Sequence, residues 1–490
     1  MYLNNRGFII PKNLLRKEEI KQLKEDLVLT PKENHIVRTE EKQIIVYREN
    51  EHKLYIPRFY GIDKFGCDPT TVKNDIPPGV SIHIPFTQEL RDYQKDIIQV
   101  YFDHVQSGSG GGILEVPCGQ GKTIMALNIC SVLQTKTLIL VHKEFLMNQW
   151  MERIRDFVPS ARVGKIQASV FDIEDKDIVI GMIQTIYSRD YASNTFNSFG
   201  LTIIDEVHRI GSEEFSKTLF KISTRYMLGI SATVERKDGL TDILYMFIGP
   251  RIYTETRKEN DAVEVRAIQY DHSHEEYKTE EFDFRGNIKY STMISRISDF
   301  PPRQQFLVKI LQDLIEENSE KQIMVLSHKR DLLDYLENNI MERGFATCGQ
   351  YVGGMKQIHL QETETKQIVL ATFAMAAEAL DIKTLNTLIM VSPKTDIVQS
   401  VGRILRTKGE GKIIVDIIDS HDVFQNQWSK RRVFYKKSQY CIKSIKIDEY
   451  KNMLDVDTWK VVYDPTKCSK TTKKNSKKMG ADSPTCELEF

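Results

Sequence analysis

Short apolar runs alternate with segments of helical length along most of the chain. The first series is GGILEV, KTLILV, DIVIGM, LTIIDE and YMLGISAT, and the pattern resumes after residue 300 with QIMVLS, QIVLAT, TLIMVS and GKIIVDIID. Buried strands joined by connections of helical length are typical of a parallel sheet covered by helices on both faces. We therefore predict an α/β protein with two doubly wound parallel-sheet modules in tandem.

The polar stretches divide the chain further. Near the N-terminus, the charged segment RKEEIKQLKEDL predicts a helix and QIIVYRENEHKLYIPRFYG a hairpin, whereas residues 253–300, rich in Glu, Lys and Asp, are expected to be irregular. The last segment is Lys-rich and almost free of large apolar side chains, which predicts disorder. The predicted parts are a small N-terminal α+β accessory domain (1–84), a first module (85–255), a second module (256–445), a C-terminal extension (446–465) and a tail (466–490).

Composition narrows the class of protein. The 490 residues include 68 basic and 68 acidic side chains, and this balance argues against a protein that binds by bulk positive charge alone. Seven scattered cysteines without a CxxC pair make a zinc ribbon or a disulfide framework improbable and favour a reducing compartment. Without a signal-peptide core or an apolar run of spanning length, we expect a soluble intracellular protein that does not bind membranes.

The segment VPCGQGKTIM (116–125) follows an apolar run and precedes a helical pattern, as a phosphate-binding loop does. Gly119 and Gly121 would let backbone N–H groups approach the phosphates, Lys122 would contact the β- and γ-phosphate oxygens, and Thr123 would hold Mg²⁺. Val116 stands where the eight-residue pattern usually begins with glycine. We predict ATP as the substrate and Mg²⁺ as its metal. The alternative is a tight glycine turn with an exposed lysine.

A second candidate is the segment LTIIDEVHRIG, in which an apolar run ends in two carboxylates. Asp205 would hold Mg²⁺ through water, and Glu206 would polarise the water that attacks the phosphate. Two acids are needed because one stays ionised on the metal while the other accepts a proton. The alternative is a pair of solvated acids at a strand end.

Asp-Glu-x-His followed by Ser231-Ala-Thr233 resembles superfamily 2 helicases and translocases, whose modules are RecA-like. The resemblance covers about residues 86–420 and implies that His208, Ser231 and Thr233 couple the ATP site to movement. Within ELRDYQ, it implies that Gln94 hydrogen-bonds adenine. His208 is not expected to bind metal, because no second His or Cys lies at ligand spacing.

The same resemblance extends to the segments that contact nucleic acid. LILVHKEFLMNQW and IVIGMIQTIYS in the first module, and IVLATFAMAAEALDI in the second, are similar to the family's backbone-contact motifs. Ala379 replaces the glycine usual in the last of these. The residues implied to contact nucleic acid are Lys143, Thr185, Thr372 and Asp381.

QSVGRILR, in the second module, is similar to the family's sixth motif. It implies a coupling role for Gln399, and it places Arg403 and Arg406 three residues apart on one helix face. We expect both arginines to reach the γ-phosphate when the cleft between the modules closes, so that ATP favours closure and hydrolysis reverses it. The alternative is a pair of ordinary surface charges.

LRDYQ, LEVPCGQGKT and SATVERKDG are most similar to XPB-type DNA helicases and their relatives in large cytoplasmic DNA viruses. The resemblance implies an ATP-dependent DNA helicase or double-strand translocase that moves 3′ to 5′, acting in viral transcript release or in repair, with RNA polymerase or transcription factors as possible partners. An RNA helicase with the same motor is the alternative. A catalytically silent subunit and a nuclease-fused motor rank below both.

Residues 426–446, NQWSKRRVFYKKSQYCIKSIK, interleave aromatic and basic side chains. They are compatible with a nucleic-acid stacking surface. We favour the other interpretation, a helix whose aromatic face packs on the second module while its lysines face water.

Overall fold

The computed structural model describes residues 1–31, 43–68, 71–108, 110–117, 119–209, 212–236, 238–255, 262–378, 382, 384–397, 400–402 and 411–467. The chain divides into two compact units, Met1–Thr256 and Arg257–Phe490. Each unit is built around one large sheet, and the first also contains the N-terminal residues.

The N-terminal part of the chain contains a four-stranded antiparallel sheet, a separate two-stranded antiparallel sheet and two helices. Its elements are β1 (Tyr2–Asn4), β2 (Gly7–Pro11), α1 (Lys17–Asp26), β3 (Val28–Leu29), β4 (Ile44–Ile45), β5 (Arg48–Glu49), β6 (Lys53–Ile56) and α2 (Arg58–Lys64). The strand order is β1-β2-β6-β5, and β5 and β6 form the predicted hairpin. One face of the sheet, including Phe8 and Ile56, shares a hydrophobic core with Phe215 and Phe247 of the following module.

The first module contains an eight-stranded sheet in the order β10-β9-β11-β8-β12-β13-β7-β14. Its strands are β7 (Gly111–Glu115), β8 (Thr137–Val141), β9 (Val163–Gln167), β10 (Val170–Phe171), β11 (Ile178–Met182), β12 (Leu201–Asp205), β13 (Tyr226–Ser231) and β14 (Arg251–Thr254). Its helices are α3 (Asp92–Gln106), α4 (Lys122–Leu133), α5 (Glu144–Phe157), α6 (Ile183–Ser188), α7 (Ser212–Leu219) and α8 (Thr241–Ile248). All neighbouring pairs are parallel except β9 with β10. Central strands β8 and β12 are buried throughout, which explains their uninterrupted apolar sequences.

The second unit contains another eight-stranded sheet, ordered β17-β18-β16-β19-β20-β15-β21-β22. Its strands are β15 (Val263–Tyr270), β16 (Ile323–Ser327), β17 (Cys348–Tyr351), β18 (Ile368–Thr372), β19 (Thr387–Met390), β20 (Lys412–Asp419), β21 (Cys441–Lys446) and β22 (Lys460–Tyr463). Its helices are α9 (Glu275–Lys278), α10 (Tyr290–Asp299), α11 (Pro301–Glu317), α12 (Arg330–Arg343), α13 (Gln357–Glu364), α14 (Phe373–Glu378) and α15 (Asp422–Lys437). β21 with β22 is the antiparallel pair of this sheet. The chain also has 3₁₀ turns at Lys12–Leu14, Val207–Arg209, Ile447–Glu449 and Val456–Thr458.

One expectation about the chain between the modules was wrong. Residues 263–270, placed within an irregular stretch, form β15, which lies between β20 and β21. Arg266 on this strand is buried and is paired with Glu264 and Glu317, so its charge is compensated within the fold. The charges in this segment, which had favoured an irregular conformation, are neutralised by ion pairs formed in the folded protein.

The two mainly parallel sheets with helices confirm the predicted α/β class. In the first module, β12, β13 and β7 are consecutive neighbours, so the segments that follow them meet at one edge of the sheet. Among the helices of the described ranges, none is both long and apolar enough to cross a membrane.

Candidate nucleotide-binding and coupling site

The carboxyl ends of three adjacent parallel strands carry the main candidate residues. Asp205 ends β12 and is in register with Ile230 of β13, and Ser231 ends β13 in register with Glu115 of β7. The phosphate-loop segment follows β7. The first module therefore brings together the three motifs that were identified separately in the sequence.

The phosphate loop depends on left-handed glycines. Gly119 and Gly121 have φ angles of 85° and 82°, which side-chain-bearing residues rarely adopt. A Cβ atom on Gly121 would lie 2.4 Å from Nε2 of Gln94, so a side chain at this position would displace the Gln94 amide. Helix α4 begins at Lys122, directly after Gly121. The helix N-terminus presents N–H groups and a positive dipole end, which suit a phosphate.

Gln94 is hydrogen-bonded to this loop. Its Oε1 accepts a hydrogen bond from the Arg91 N–H (3.0 Å) and its Nε2 donates to the Gln120 carbonyl (3.0 Å). The Tyr93 hydroxyl donates to the same Gln120 carbonyl at 3.1 Å. Gln94 thus caps α3 and supports the loop, and its contact with adenine stays a prediction.

The two carboxylates after β12 point to different partners. Oδ2 of buried Asp205 accepts a hydrogen bond from Trp150 Nε1 at 2.9 Å, whereas Oε1 of Glu206 lies 3.5 Å from Lys122 Nζ. Glu206 has a φ of 49°, and its N–H donates to the Ile230 carbonyl at 2.9 Å. A non-glycine residue in this region stores backbone strain, which is common where a side chain must be aimed at a functional site.

Burial and the neighbouring Glu206 carboxylate raise the pKa of Asp205 to about 6, against the opposing effects of the Trp150 N–H and the Lys122 charge. The negative charge of ionised Asp205 is therefore not fully balanced by its neighbours, and a divalent cation would stabilise it. Hydroxyl and carboxylate oxygens from Thr123 and Asp205 are donors that Mg²⁺ prefers. Within the described residues no cluster of three or more His, Cys, Asp or Glu side chains could hold a metal. Mg²⁺ fits this arrangement because it commonly uses one or two carboxylates together with substrate phosphates.

A short hydrogen-bonded chain links Glu206 to the end of β13. Ser231 Oγ lies 2.7 Å from His208 Nδ1 and 3.4 Å from Glu206 Oε2, and the Thr233 N–H donates to it at 3.4 Å. His208 Nδ1 is itself 3.5 Å from Glu206 Oε2. Three of the four residues assigned to coupling, His208, Ser231 and Thr233, therefore lie together, next to the proposed catalytic base.

Two residues that make polar contacts in this region, Trp150 and Glu115, were not predicted from the sequence. Trp150 anchors Asp205 from α5, and Glu115 accepts hydrogen bonds from the Val234 N–H (3.1 Å) and from Arg251 Nη1 (2.9 Å). Glu115 thus joins the segment after Ser231 to β14. The available signals were a glutamate at the last position of a buried strand and an indole on an otherwise apolar helix face.

The described nucleic-acid candidates also follow strand ends. Lys143 precedes α5 just after β8, Thr185 lies on α6 just after β11, and Thr372 ends β18 in register with Ser327. Thr185 Oγ1 accepts a hydrogen bond from the Ala168 N–H at 3.1 Å. Their contact with nucleic acid stays a prediction.

Two family models match the chain: "Type III restriction enzyme, res subunit" over residues 87–236 and "Helicase conserved C-terminal domain" over residues 305–408. "Putative ATP-dependent RNA helicase L396" of Acanthamoeba polyphaga mimivirus is 35% identical over 462 residues, covering 90% of this chain and 86% of the relative. The chain belongs to the superfamily 2 helicases. The resemblance found in the sequence is confirmed.

Other relatives of this helicase cover smaller shares. "Putative ATP-dependent RNA helicase QP509L" of African swine fever virus (isolate Pig/Kenya/KEN-50/1950) is 26% identical over 379 residues, covering 72% of this chain and 74% of the relative. "DNA 3'-5' translocase XPB2" of Sulfurisphaera tokodaii is 35% identical over 174 residues, covering 35% of this chain and 37% of the relative. The crystal structure of T4 UvsW covers 88% of this chain and 96% of its own at 16% identity, with a TM-score of 0.36.

Four predicted site residues of the helicase, Asp381, Gln399, Arg403 and Arg406, lie outside the described residues, as does Cys118 of the phosphate loop. The favoured interpretation of residues 426–446 is confirmed for α15. Trp428, Arg431 and Tyr435 are buried, and Arg431 pairs with Asp416 through contacts of 2.8 and 2.9 Å.

Proposed function

We propose that this helicase is a DNA-dependent ATPase that moves along DNA, as a strand-separating helicase or a double-strand translocase. The observation that carries the proposal is the position of Glu206, which contacts Lys122 on one side and the Ser231–His208 pair on the other. A group that contacts both the phosphate loop and the coupling segment can link hydrolysis to a change in conformation.

The chemistry assigned to these residues is the hydrolysis of the γ-phosphoryl bond. Phosphate binding would draw Lys122 Nζ away from Glu206 and leave that carboxylate to accept a proton from water. The water oxygen then bonds to the γ-phosphorus while the bond to the β–γ bridging oxygen breaks, giving ADP and phosphate. Thr123 and Asp205 would hold Mg²⁺. When bound there, Mg²⁺ supplies positive charge beside the β- and γ-phosphate oxygens.

The second unit is proposed to complete the reaction. Arg403 and Arg406 are assigned to the γ-phosphate and Gln399 to coupling, on the strength of the segment QSVGRILR. Lys143, Thr185, Thr372 and Asp381 are assigned to the nucleic-acid backbone. Contacts to sugar and phosphate position a strand without reading its sequence, as a motor requires.

The name of the Sulfurisphaera relative supports DNA as the track and 3′ to 5′ as the direction. The resemblance of the sequence motifs to helicases of large cytoplasmic DNA viruses favours a place in viral transcription, such as transcript release, with RNA polymerase or transcription factors as proposed partners. RNA is the second candidate track, because the names of the mimivirus and African swine fever virus relatives refer to RNA helicases.

The deciding measurement is steady-state ATP hydrolysis by the full chain, alone and with single-stranded DNA, duplex DNA or RNA. We expect stimulation by DNA of about tenfold or more. The Lys122→Ala variant should lose it, because the phosphates lose their only assigned lysine, while still retaining DNA on a filter. Stimulation by RNA alone would replace the DNA proposal with the second candidate, and undiminished turnover by Lys122→Ala would refute the assigned site.

A further inference from the structure

The N-terminal sheet has a second face, turned away from its hydrophobic core. Its strand registers place Tyr2 beside Ile9, Ile9 beside Tyr55, and Tyr55 beside Arg48. These four side chains lie in one row, because directly opposed residues of antiparallel strands share a face. The core face is formed by the alternate residues, among them Leu3, Phe8, Ile10, Leu54 and Ile56. We call the first set the outer face.

The row continues across one further segment of chain. Leu3 forms a parallel bridge with Asn74, and the Leu3 N–H donates to the Lys73 carbonyl at 2.8 Å. Since Asn74 shares the core face with Leu3, the side chain of Lys73 stands on the outer face next to Tyr2. The outer face therefore has Lys73 at one end, followed by Tyr2 and Tyr55, and at its other end the Arg48 guanidinium lies over the Phe220 ring and donates to the Lys217 carbonyl at 3.3 Å.

Basic groups surround both tyrosine rings. Lys53 Nζ lies 5.6 Å from the centre of the Tyr2 ring and donates a hydrogen bond to its hydroxyl at 3.0 Å, and Lys73 Nζ lies 5.5 Å from the same ring. The Arg6 guanidinium lies 5.8 Å from the centre of the Tyr55 ring. Ile9, between the two tyrosines, is fully buried beneath this layer.

The outer face carries a surplus of positive charge. Asp75 pairs with Lys73 at 3.0 Å, but the side chain of Lys73 is still 70% exposed. Glu49 stands in register with Leu54, on the core-face side, where it pairs with Lys12 and Lys24 at 2.6 Å each. Burial and the charge of Arg6 lower the pKa of Arg48, against the opposing effect of Asp190. Among the described residues that contact the cations Arg6, Lys53 and Lys73, Asp75 is thus the one acidic partner.

We propose that the outer face binds single-stranded nucleic acid, with bases stacked on Tyr2 and Tyr55 and phosphates bound by Arg6, Lys53 and Lys73. Aromatic rings within a positively charged surface are how proteins bind single strands without reading sequence. The tyrosines are two strands apart, roughly 10 Å at the usual strand spacing, a distance that a few nucleotides can bridge. The site would hold one displaced or incoming strand on the first unit, through residues other than the proposed motor contacts. This inference rests on the proposed function in one respect, that the chain acts on nucleic acid.

The alternative is that the cations over the rings only stabilise the fold. Exposed cation–π contacts contribute about 0.5–1 kcal/mol each, and surface ion pairs a similar amount. A purely structural role gives no reason for three cations to cluster on one face while the acidic Glu49 is held on the other. It also predicts no effect of these residues on the binding of nucleic acid.

The test uses the full chain without nucleotide and a fluorescent oligo(dT) or oligo(U) strand of about 20 nucleotides, longer than one such site needs. Tyr2→Leu with Tyr55→Leu should weaken binding about tenfold or more, at an unchanged salt dependence. Lys53→Ala with Lys73→Ala should weaken it and lower the slope of log K against log[salt] by about 1.4, since two phosphate contacts are lost.

The matched control is Lys17→Ala with Lys21→Ala. It removes the same charge from α1, whose Leu23 packs on the core-face side of the sheet. Control and wild type should bind equally. If the control weakens binding as much as Lys53→Ala with Lys73→Ala does, general charge is responsible and the proposal is wrong. Thermal melting of each variant identifies any loss of folding.

A second readout needs no substitution. Strands carrying 5-iodouracil, irradiated on the wild-type protein, should cross-link to the peptides that contain Tyr2 and Tyr55. Cross-links confined to other peptides, together with unchanged affinity of the tyrosine variant, would overturn the proposal. ATPase of the wild type is measured in the same samples: if the tyrosine variant loses binding but nucleic acid does not stimulate hydrolysis, the proposed motor function fails while the binding face stands.

Discussion

At the scale of single residues, Asp205 shows a conflict between stability and function. Its pKa is raised to about 6 by burial and by Glu206, so the folded state holds a proton that the unfolded chain releases near pH 4. The stability that Asp205 contributes is therefore greatest below about pH 4 and is lost as the pH rises through 6. At pH 7.5 the ionised group destabilises the metal-free protein by up to about 3 kcal/mol.

The Asp205→Asn variant should relieve this cost, since the amide oxygen can still accept the Trp150 hydrogen bond but cannot ionise. We expect it to melt several degrees above the wild type at pH 7.5 in EDTA. At pH 5 the difference should shrink, because the wild-type carboxylate is then mostly protonated. ATP hydrolysis should be lost. Thermal melts at both pH values check this, and a variant that melts below the wild type at pH 7.5 would contradict the assignment.

Residues differ in how far their roles could be predicted. Lys122, Asp205 and Glu206 were expected to meet because their motifs follow strands of one parallel sheet, and the contact between Lys122 and Glu206 agrees. The contact of Trp150 with Asp205 was not predicted, because the two residues are 55 positions apart in the sequence. The residues around Trp150 also have the apolar spacing of a helix that packs on a core. For Gln94 the sequence predicted only a contact with adenine. Its second role, accepting a hydrogen bond from the Arg91 N–H at the start of α3, depends on backbone geometry that the sequence does not show.

At the scale of elements, hydrogen bonds from helices on both faces of the second sheet fix the segment that follows β19, residues 391–394. Arg303 of α11 pairs with Asp419 and donates to the Val391 carbonyl at 2.9 Å, while Arg431 of α15 pairs with Asp416 and donates to the Lys394 carbonyl at 2.7 Å. Asp416 and Asp419 are three residues apart on β20, so they point to opposite faces. This segment leads directly to the arginine motif.

Removing one of these buried partners should therefore be costly. Arg431→Gln leaves Asp416 with a buried, uncompensated charge, and we expect a loss of about 3–5 kcal/mol in urea unfolding of the second unit. The matched control is Arg432→Gln, the exposed neighbour on the same helix, which should change stability by less than about 0.5 kcal/mol. Equal effects of the two substitutions would mean that the Arg431–Asp416 pair does not stabilise this unit.

Elements with continuous apolar sequences were predicted, and those with mixed sequences were not. β8 and β12 are buried along their length, and their apolar runs are visible directly; β20 is equally buried, and apolar residues lie on both sides of its Asp416. β15 alternates apolar with charged or polar residues, and its Arg266 finds Glu317 only through a contact 51 positions away. A pattern within one segment cannot reveal such a partner.

At the scale of the whole molecule, the two units divide the assigned chemistry between them. The first contains the loop, both carboxylates and the coupling residues His208, Ser231 and Thr233, and the second contains Gln399 and the arginines that were assigned from sequence. Each unit has its own eight-stranded sheet and its own buried core. If hydrolysis requires residues from both units, ATP can bind to the first unit without being hydrolysed.

Arg406→Ala separates binding from turnover. An arginine that stabilises the transferring phosphoryl group acts on the transition state, so kcat should fall by about 10³-fold while the affinity for a fluorescent ATP analogue changes little. Lys408→Ala, which removes a charge from the same segment, is the control and should hydrolyse ATP as the wild type does. Lys122→Ala should differ from both by losing phosphate contacts on the first unit. Normal hydrolysis by Arg406→Ala would show that the first unit completes the reaction alone, and the requirement for two units in the motor would then be wrong.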